Sequence, residues 1–181
     1  FNNINSILND GFIIPGKGKG MSTSKNFKSS YTYLELIYDT KEINGIDPQR
    51  YGFSFGLYFD TKIFKDYDFW YTDEWGHIES EKDLIKKGGK KFPKTRIQTN
   101  LNKLRKRHLN GNKSGSITYQ FVTKDIINIK KYLKFISIAH NINKKSTTVQ
   151  KWLNKNTKTK KILNEKYSDI NILKCDSNVE F

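Results

Sequence analysis

Asp60 and Lys62 directly follow an apolar predicted strand, and Asp47 lies 13 residues before Asp60, across a turn. Carboxylates that converge on one point bind Mg²⁺, and a lysine beside them can steady the attacking water or a phosphate. Alternate residues of a strand share a face, so Asp60 and Lys62 point together if the strand extends that far. Glu35 or Asp39, on a neighbouring predicted strand, could add a ligand. The pattern predicts catalytic Asp47, Asp60 and Lys62, with Asp47, Asp60, Glu35 and Asp39 as metal ligands.

The order of these residues, an acid, a spacer and then acid-x-Lys, resembles the motif of the PD-(D/E)xK nucleases. The resemblance implies a Mg²⁺-dependent endonuclease of restriction type. Asp47 stands before Pro48, however, whereas the family places the proline before the aspartate. The alternative interpretation is that Asp47 belongs to a turn, and that Asp60 and Lys62 occupy a solvated strand end.

The 181 residues carry a formal net charge of +15, and this charge is strongly segregated. Residues 1–83 hold 9 Lys+Arg and 13 Asp+Glu, whereas residues 84–164 hold 22 Lys+Arg and the single acid Asp125. A segment of net charge +21 repels itself unless a polyanion lies beside it, and nucleic acid is the commonest polyanion. We therefore expect a nucleic-acid partner, most simply double-stranded DNA, contacted by residues 84–164.

The segment Phe135 to Asn154 resembles the helix-turn-helix unit of DNA-binding proteins. Ala139 is the small residue where two helices would touch, and Ile142 precedes the turn. Lys144 departs from the pattern, because an apolar residue is usual at that position. The resemblance implies that the second helix enters the major groove, with its first turns facing base edges. The alternative is two ordinary packed helices.

If the second helix reads bases, Gln150 and Asn154 can pair with adenine and Lys151 with guanine. The other candidate DNA contacts fall into two groups. Lys145, Ser146 and Thr147 would face the DNA beside the reading residues. Cations that would hold phosphates are Lys144, Lys155, Lys158, Lys160 and Lys161, together with Lys103, Arg105, Lys106 and Arg107 on an earlier basic helix.

Alternating apolar residues predict strands, and apolar residues three and four apart predict helices. Ile97, Leu101, Leu104 and His108 form one stripe of an amphipathic helix at 94–109. The pattern also indicates helix at 126–142 and 146–155. The predicted strands are Tyr31 to Asp39, Tyr51 to Asp60, Asp66 to Trp75 and Ile117 to Thr123.

These elements predict an α+β chain, in which a small antiparallel sheet precedes a basic, mostly helical part with the helix-turn-helix-like unit. The composition divides the chain into a flexible N-terminal segment, an acidic and aromatic-rich β part, a basic helical DNA-binding part and a tail. Their ranges are 1–30, 31–92, 93–167 and 168–181.

The composition excludes several classes of protein. An aromatic content of 14% is too high for a disordered chain, and no apolar run is long enough to span a membrane. The single cysteine, Cys175, cannot form an internal disulfide, which favours a cytoplasmic protein. The chain begins at Phe1 rather than methionine, which favours an excerpt of a larger protein.

DNA binding with some sequence preference is the leading functional prediction, with Mg²⁺-dependent cleavage as an extension of it. Two alternatives stay open. One is a non-catalytic DNA-recognition or regulatory domain of a larger protein; the other is an RNA-binding protein or an RNA-directed toxin. The expected protein partner is a second copy of the chain in a homodimer, or the rest of a larger parent protein. The sequence leaves open the recognised site, the oligomeric state and whether the acidic residues bind metal.

Overall fold

The structure, a computed structural model, divides the chain into two compact units, each built from separate stretches of sequence. The terminal unit takes residues 1–12, 39–60 and 128–181, and the central unit takes residues 13–38 and 61–127. The structure describes residues 2–15, 31–36, 55–72, 78, 80–111, 119–139, 154 and 156–175.

The described elements are numbered in chain order. The helices are α1 Asn2–Asp10, α2 Ile63–Asp66, α3 Glu81–Lys86, α4 Ile97–Gly111, α5 Ile129–Tyr132 and α6 Thr157–Lys166. The strands are β1 Phe12–Ile13, β2 Thr32–Glu35, β3 Phe55–Phe59, β4 Trp70–Thr72, β5 Lys90–Lys91, β6 Gln120–Thr123, β7 Ile127–Asn128, β8 Leu133–Ala139 and β9 Asn171–Cys175.

The central unit contains an antiparallel sheet in the order β2-β6-β4-β5. Strand β6 is hydrogen-bonded to β2 on one edge and to β4 on the other, and its residues Phe121 and Val122 are fully buried. The ring of Phe64, on α2, lies 4.7 to 4.9 Å from three other rings, and together these rings form the aromatic core of the unit. Its three partners are Phe69, Phe92 and Phe121.

The terminal unit contains a mixed sheet, in which β8 pairs antiparallel with β3 and parallel with β9. Gly56 lies opposite Ser137, whose hydroxyl donates to the Tyr58 hydroxyl at 3.1 Å. A Cβ on Gly56 would lie 2.6 Å from that Ser137 oxygen, so only glycine fits here. The small residue therefore accommodates side chains of its own sheet.

Helices α1 and α6 of the terminal unit are tied together by buried polar contacts. The Thr159 hydroxyl donates to Asn5 Oδ1 at 2.7 Å, and the Tyr167 hydroxyl donates to the Leu8 carbonyl oxygen at 2.8 Å. Burial raises the pKa of Tyr167 above its ordinary value. These contacts fix the apolar side of α6 against the N-terminal helix.

The predicted α+β class is confirmed at the level of a mixed fold with helices and antiparallel pairing. The single sheet expected over residues 31–75 is wrong, because β3 pairs with β8 and not with β2 or β4. The helix expected at 126–142 is wrong over most of its described part, where strand β8 follows the short α5. The apolar residues of β8 lie in a strand that is hydrogen-bonded to β3 and β9, which are distant in sequence. Local periodicity carries no information about such partners.

The compact units do not follow the boundaries drawn from composition, because both take residues from either side of residue 92. Within the N-terminal segment, residues 2–10 form α1, while residues 16–30 lie outside the described residues. Within the tail, residues 171–175 form β9. The helix expected at 94–109 is confirmed as α4, and most of the helix expected at 146–155 lies outside the described residues.

Candidate nucleic-acid interface

An open depression of about 340 Å³ lies on the central unit where α4 begins. Four of its lining residues are cations and none is acidic. The lining residues are Thr61, Lys62, Lys65, Lys94, Arg96, Ile97, Gln98 and Thr99. Two stretches of chain about thirty residues apart therefore bring four positive charges to one concave surface.

The aromatic core holds the two walls of the depression in place. On the first wall, α2 buries Ile63 and Phe64 and leaves Lys65 exposed. On the second, Phe92 precedes Lys94 by two residues, and its N–H donates to the Phe69 carbonyl oxygen at 2.7 Å. Because the Phe64 and Phe92 rings lie 4.7 Å apart, packing of these two rings sets the separation of the cationic side chains above them.

Lys94 forms an ion pair at the edge of the depression. Its Nζ lies 2.9 Å from Asp68 Oδ1, and Lys91 Nζ lies 3.8 Å from Asp68 Oδ2. The hydrogen bond from Lys94 holds the pKa of Asp68 below its ordinary value, against a smaller opposing effect of desolvation and with help from the charge of Lys91. The Asp68 side chain is 52% exposed, and ion pairs this accessible contribute at most about 1 kcal/mol to stability.

Arg96 has a left-handed backbone, with φ of 49°, immediately before α4 begins. This conformation costs a residue with a side chain roughly 1–2 kcal/mol. Two hydrogen bonds hold it in place: the Asn100 N–H donates to the Arg96 carbonyl oxygen at 3.0 Å, and Asn100 Nδ2 donates to the Thr95 carbonyl oxygen at 2.9 Å. Arg96 therefore stays in the lining of the depression at a cost in backbone energy.

The exposed side of α4 continues the positive surface away from the depression. Leu101 and Leu104 are buried on the inner side of the helix, as the amphipathic pattern predicted. The exposed residues Lys103 and Lys106 follow Thr99 at positions i+4 and i+7, which places all three on one side of a helix. Because Thr99 lines the depression, Lys103 and Lys106 lie on the side of α4 that reaches the depression.

We call this surface the α4 basic surface; it consists of Lys62, Lys65, Lys94, Arg96, Lys103, Lys106 and Arg107. Arg105 is also exposed on α4, nearer the apolar side. Within the part of the chain that the structure describes, no hydrogen bond or ion pair engages the side chains of Lys103, Lys106 or Arg107. These cations therefore face solvent over about 6 Å of the helix axis, and Arg107 lies about 15 Å along that axis from the first residue of α4.

The cations predicted on the later helix have different surroundings. On α6, Lys160 Nζ donates to Asn154 Oδ1 at 2.9 Å, and Lys161 Nζ lies 3.8 Å from the Glu165 carboxylate. Lys158 is exposed. Asn154, predicted to read adenine, accepts this hydrogen bond from Lys160, and its contact with a base stays a prediction.

The helix-turn-helix-like segment is described only at its two ends. Phe135 to Ala139 belong to strand β8, so the helix expected there is wrong over these residues. The remaining contacts predicted for this segment lie outside the described residues, and the unit stays a prediction. They are Lys144, Lys145, Ser146, Thr147, Gln150, Lys151 and Lys155.

The predicted metal site is only partly described. Asp60 follows the end of β3; its N–H donates to the Tyr132 carbonyl oxygen at 2.8 Å, and its carboxylate lies 3.9 Å from Lys134 Nζ. Lys62 lies beyond the strand with a helical backbone, so strand alternation does not place it beside Asp60. Glu35 lies on β2, and Asp39 and Asp47 lie outside the described residues. Among described residues, no three His, Cys, Asp or Glu side chains group to hold a metal ion.

Sequence reasoning did not identify Lys65, Lys94 and Arg96 as site residues, and it assigned Lys62 to metal chemistry. The signal that could have found them is Lys94-x-Arg96 immediately before an amphipathic helix whose first turn holds no acid. Lys62 and Lys65 flank the buried pair Ile63 and Phe64. The proximity of these two stretches depends on packing of aromatic rings, which the sequence does not reveal.

Comparison of the chain with protein-family models, with curated proteins and with solved structures finds no match. Within the described parts of the chain, no helix has the length and apolar character needed to cross a membrane.

Proposed function

We propose that this chain is a DNA-binding protein and that the α4 basic surface contacts the phosphate backbone. One observation carries the proposal. The exposed residues Lys103 and Lys106 share one side of α4 with Thr99, which lines a concave site that holds four cations and no acid. A solvated lysine face on a helix is common, but convergence of distant cations on one depression at its end is not explained by solubility alone.

Contacts between these cations and DNA phosphates would supply the binding free energy and make it depend on salt. Each cation that neutralises a phosphate releases condensed counterions, which steepens the salt dependence of binding by about 0.9 per contact. Contacts made by the depression and by Lys103, Lys106 and Arg107 amount to about four phosphates. These contacts position the protein on DNA without reading its sequence. Any sequence preference belongs to the segment around Gln150 and Lys151, where the helix-turn-helix prediction is retained.

The proposal contains no cleavage step. The Asp60 carboxylate lies within ion-pairing distance of Lys134, and Asp47 lies outside the described residues. Mg²⁺-dependent cleavage stays a prediction from the sequence. Incubating plasmid DNA with the protein and Mg²⁺ tests it: a nicked product that disappears with Asp60→Ala supports the prediction, and intact plasmid contradicts it.

The binding proposal is tested by fluorescence anisotropy with a labelled DNA duplex over a series of salt concentrations. We expect the logarithm of the association constant to fall against the logarithm of salt with a slope of about −3.5 or steeper. An RNA duplex of equal length and sequence serves as the comparison, and we expect it to bind more weakly.

Two results contradict the proposal in different ways. A slope near zero means that phosphate neutralisation does not drive binding, and the DNA-binding function is then wrong. Tighter binding to the RNA duplex keeps the electrostatic surface but assigns it to the RNA-binding alternative. Wild-type protein heated until unfolded is the control for binding by a basic chain of no defined shape.

A further inference from the structure

Lys94 takes part in two arrangements, because it lines the depression and also pairs with Asp68 at 2.9 Å. Both side chains are accessible, at 44% for Lys94 and 52% for Asp68. The carboxylate of Asp68 engages a lining cation of the depression in an ion pair. A negative group of the protein itself therefore holds one of the four cations that surround the depression.

The volume of the depression fits more than a single small ion. About 340 Å³ lies at the lower end of the range for sites that hold small organic ligands. A phosphate with its attached sugar fits such a space, and the open mouth lets a backbone continue on both sides. Asp68 offsets the charge of Lys94, and the lining cations Lys65 and Arg96 lie outside that ion pair.

We propose that the depression is a phosphate-binding site for the DNA backbone, and that Lys94 leaves Asp68 to bind the incoming phosphate. This inference rests on the proposed DNA-binding function. It adds that Lys94 exchanges Asp68 for a DNA phosphate as its partner. Asp68 occupies the place of the phosphate charge in the protein without DNA and competes with it.

The chemistry of the pair suits such an exchange. An exposed ion pair contributes little to the fold, so breaking it costs little. The phosphate then gains Lys94 in addition to the other lining cations, which Asp68 does not contact in the described structure. The Asp68 carboxylate is charged at neutral pH, as any aspartate of ordinary or lowered pKa is, so it repels a phosphate that has not displaced it.

Arg96 supports the same assignment. A left-handed arginine is a strained residue, and strained backbones concentrate at functional sites. Glycine adopts this conformation without strain, so Arg96→Gly removes the charge while relieving the backbone. This substitution therefore separates loss of binding from loss of folding.

The test measures DNA-duplex affinity by fluorescence anisotropy at about 0.1 M salt, with full-length variants. Lys65→Ala and Arg96→Gly remove lining cations, and we expect each to weaken binding about tenfold. Lys82→Ala removes an exposed lysine of α3 outside the depression and is the matched control, with an expected change below about twofold. Asp68→Asn should strengthen binding about two- to fivefold.

Asp68→Asn should leave folding intact, because the contact of residue 68 with Asp125 uses its backbone N–H and not its side chain. The melting temperature of Arg96→Gly should not fall, which shows that weaker binding is not due to unfolding. A duplex with 5′-phosphates and one without should bind equally, and a marked preference for the phosphorylated ends would overturn the backbone assignment in favour of a terminal phosphate.

The inference fails if Lys65→Ala and Arg96→Gly bind like wild type while Lys103→Ala still weakens binding; the proposed function then stands without this site. Equal or weaker binding by Asp68→Asn overturns the exchange. Absence of binding by the wild type at every salt concentration refutes the proposed function itself.

Discussion

Helices α4 and α6 each carry four cations, but the surroundings of those cations differ. On α4, Lys103, Lys106 and Arg107 are exposed and have no hydrogen bond or ion pair within the described residues. On α6, Lys160 donates to Asn154, and Lys166 Nζ donates to the Asn9 carbonyl oxygen at 2.8 Å and to Asn9 Oδ1 at 2.9 Å. Basic composition alone does not distinguish the two helices.

The difference separates cations that support the fold from cations available to a partner. A lysine that already donates to protein oxygens must break those bonds before it binds a phosphate, and the cost reduces its contribution. Lys103, Lys106 and Arg107 have no such bonds to lose within the described residues. We infer that the α4 basic surface contributes more to DNA binding than α6, although both helices were predicted to hold phosphates.

The largest expected effect is a loss of DNA affinity, measured in two matched double variants whose lysines lie at positions i and i+3. Lys103→Ala with Lys106→Ala should weaken binding to a DNA duplex about 10- to 100-fold at about 0.1 M salt and make the salt slope shallower by about 1.8. Lys158→Ala with Lys161→Ala on α6 should change the affinity by less than about threefold. Anisotropy titrations measure both, and equal losses would remove the distinction between the helices.

Tyr167→Phe should lower the free energy of unfolding by about 1–2 kcal/mol, because the buried Leu8 carbonyl oxygen loses its donor. The raised pKa of Tyr167 also predicts a pH dependence. The folded protein keeps the phenol proton more tightly, so the stabilisation is complete below about pH 10 and is lost as pH rises towards the raised value.

Denaturant unfolding at neutral and alkaline pH checks both parts of this prediction. The wild type should lose stability faster than Tyr167→Phe above about pH 10, so that the difference between them shrinks. Curves that stay parallel would show that Tyr167 titrates alike in the folded and unfolded chains.

The smallest expected effects come from single lysines and should show opposite patterns. Lys166→Met removes two hydrogen bonds to Asn9 and should lower the free energy of unfolding by about 1 kcal/mol without weakening DNA binding. Lys106→Met should change stability by less than about 0.5 kcal/mol and weaken DNA binding about tenfold. Thermal melts and anisotropy on the same samples measure the two effects. The same pattern in both variants would contradict the functional separation of the helices.

Local patterns in the sequence identified α4 well. The spacing of Leu101 and Leu104 predicts a helix with one buried side, and both residues are buried on α4 in the structure. The same reasoning misassigned β8, because its neighbours Ile136 and Ser137 point to opposite faces and are both buried, so burial does not alternate there as in a half-buried strand. Its strand conformation depends on hydrogen bonds from β3 and β9, which lie far away in the sequence.

The candidate site was predictable only in part. The four cations of α4 were identified from charge and helical position, but the depression was not. Tertiary packing that includes the contact of the Phe64 and Phe92 rings brings Lys62 and Lys65 near Lys94 and Arg96. Lys62 was assigned to metal chemistry on the assumption that β3 continued past Asp60. The strand ends at Phe59, so that assumption was wrong.

The sequence by itself determined the segregation of charge, the amphipathic α4 and the mixture of helices and strands, because these depend on composition and on neighbours within a few residues. Tertiary structure decided which cations remain exposed. A lysine's side chain has the same charge in α4, in α6 or beside Asp68. Its surroundings depend on which distant carbonyl, amide or carboxylate packing brings within hydrogen-bond distance, and local sequence does not encode that distance.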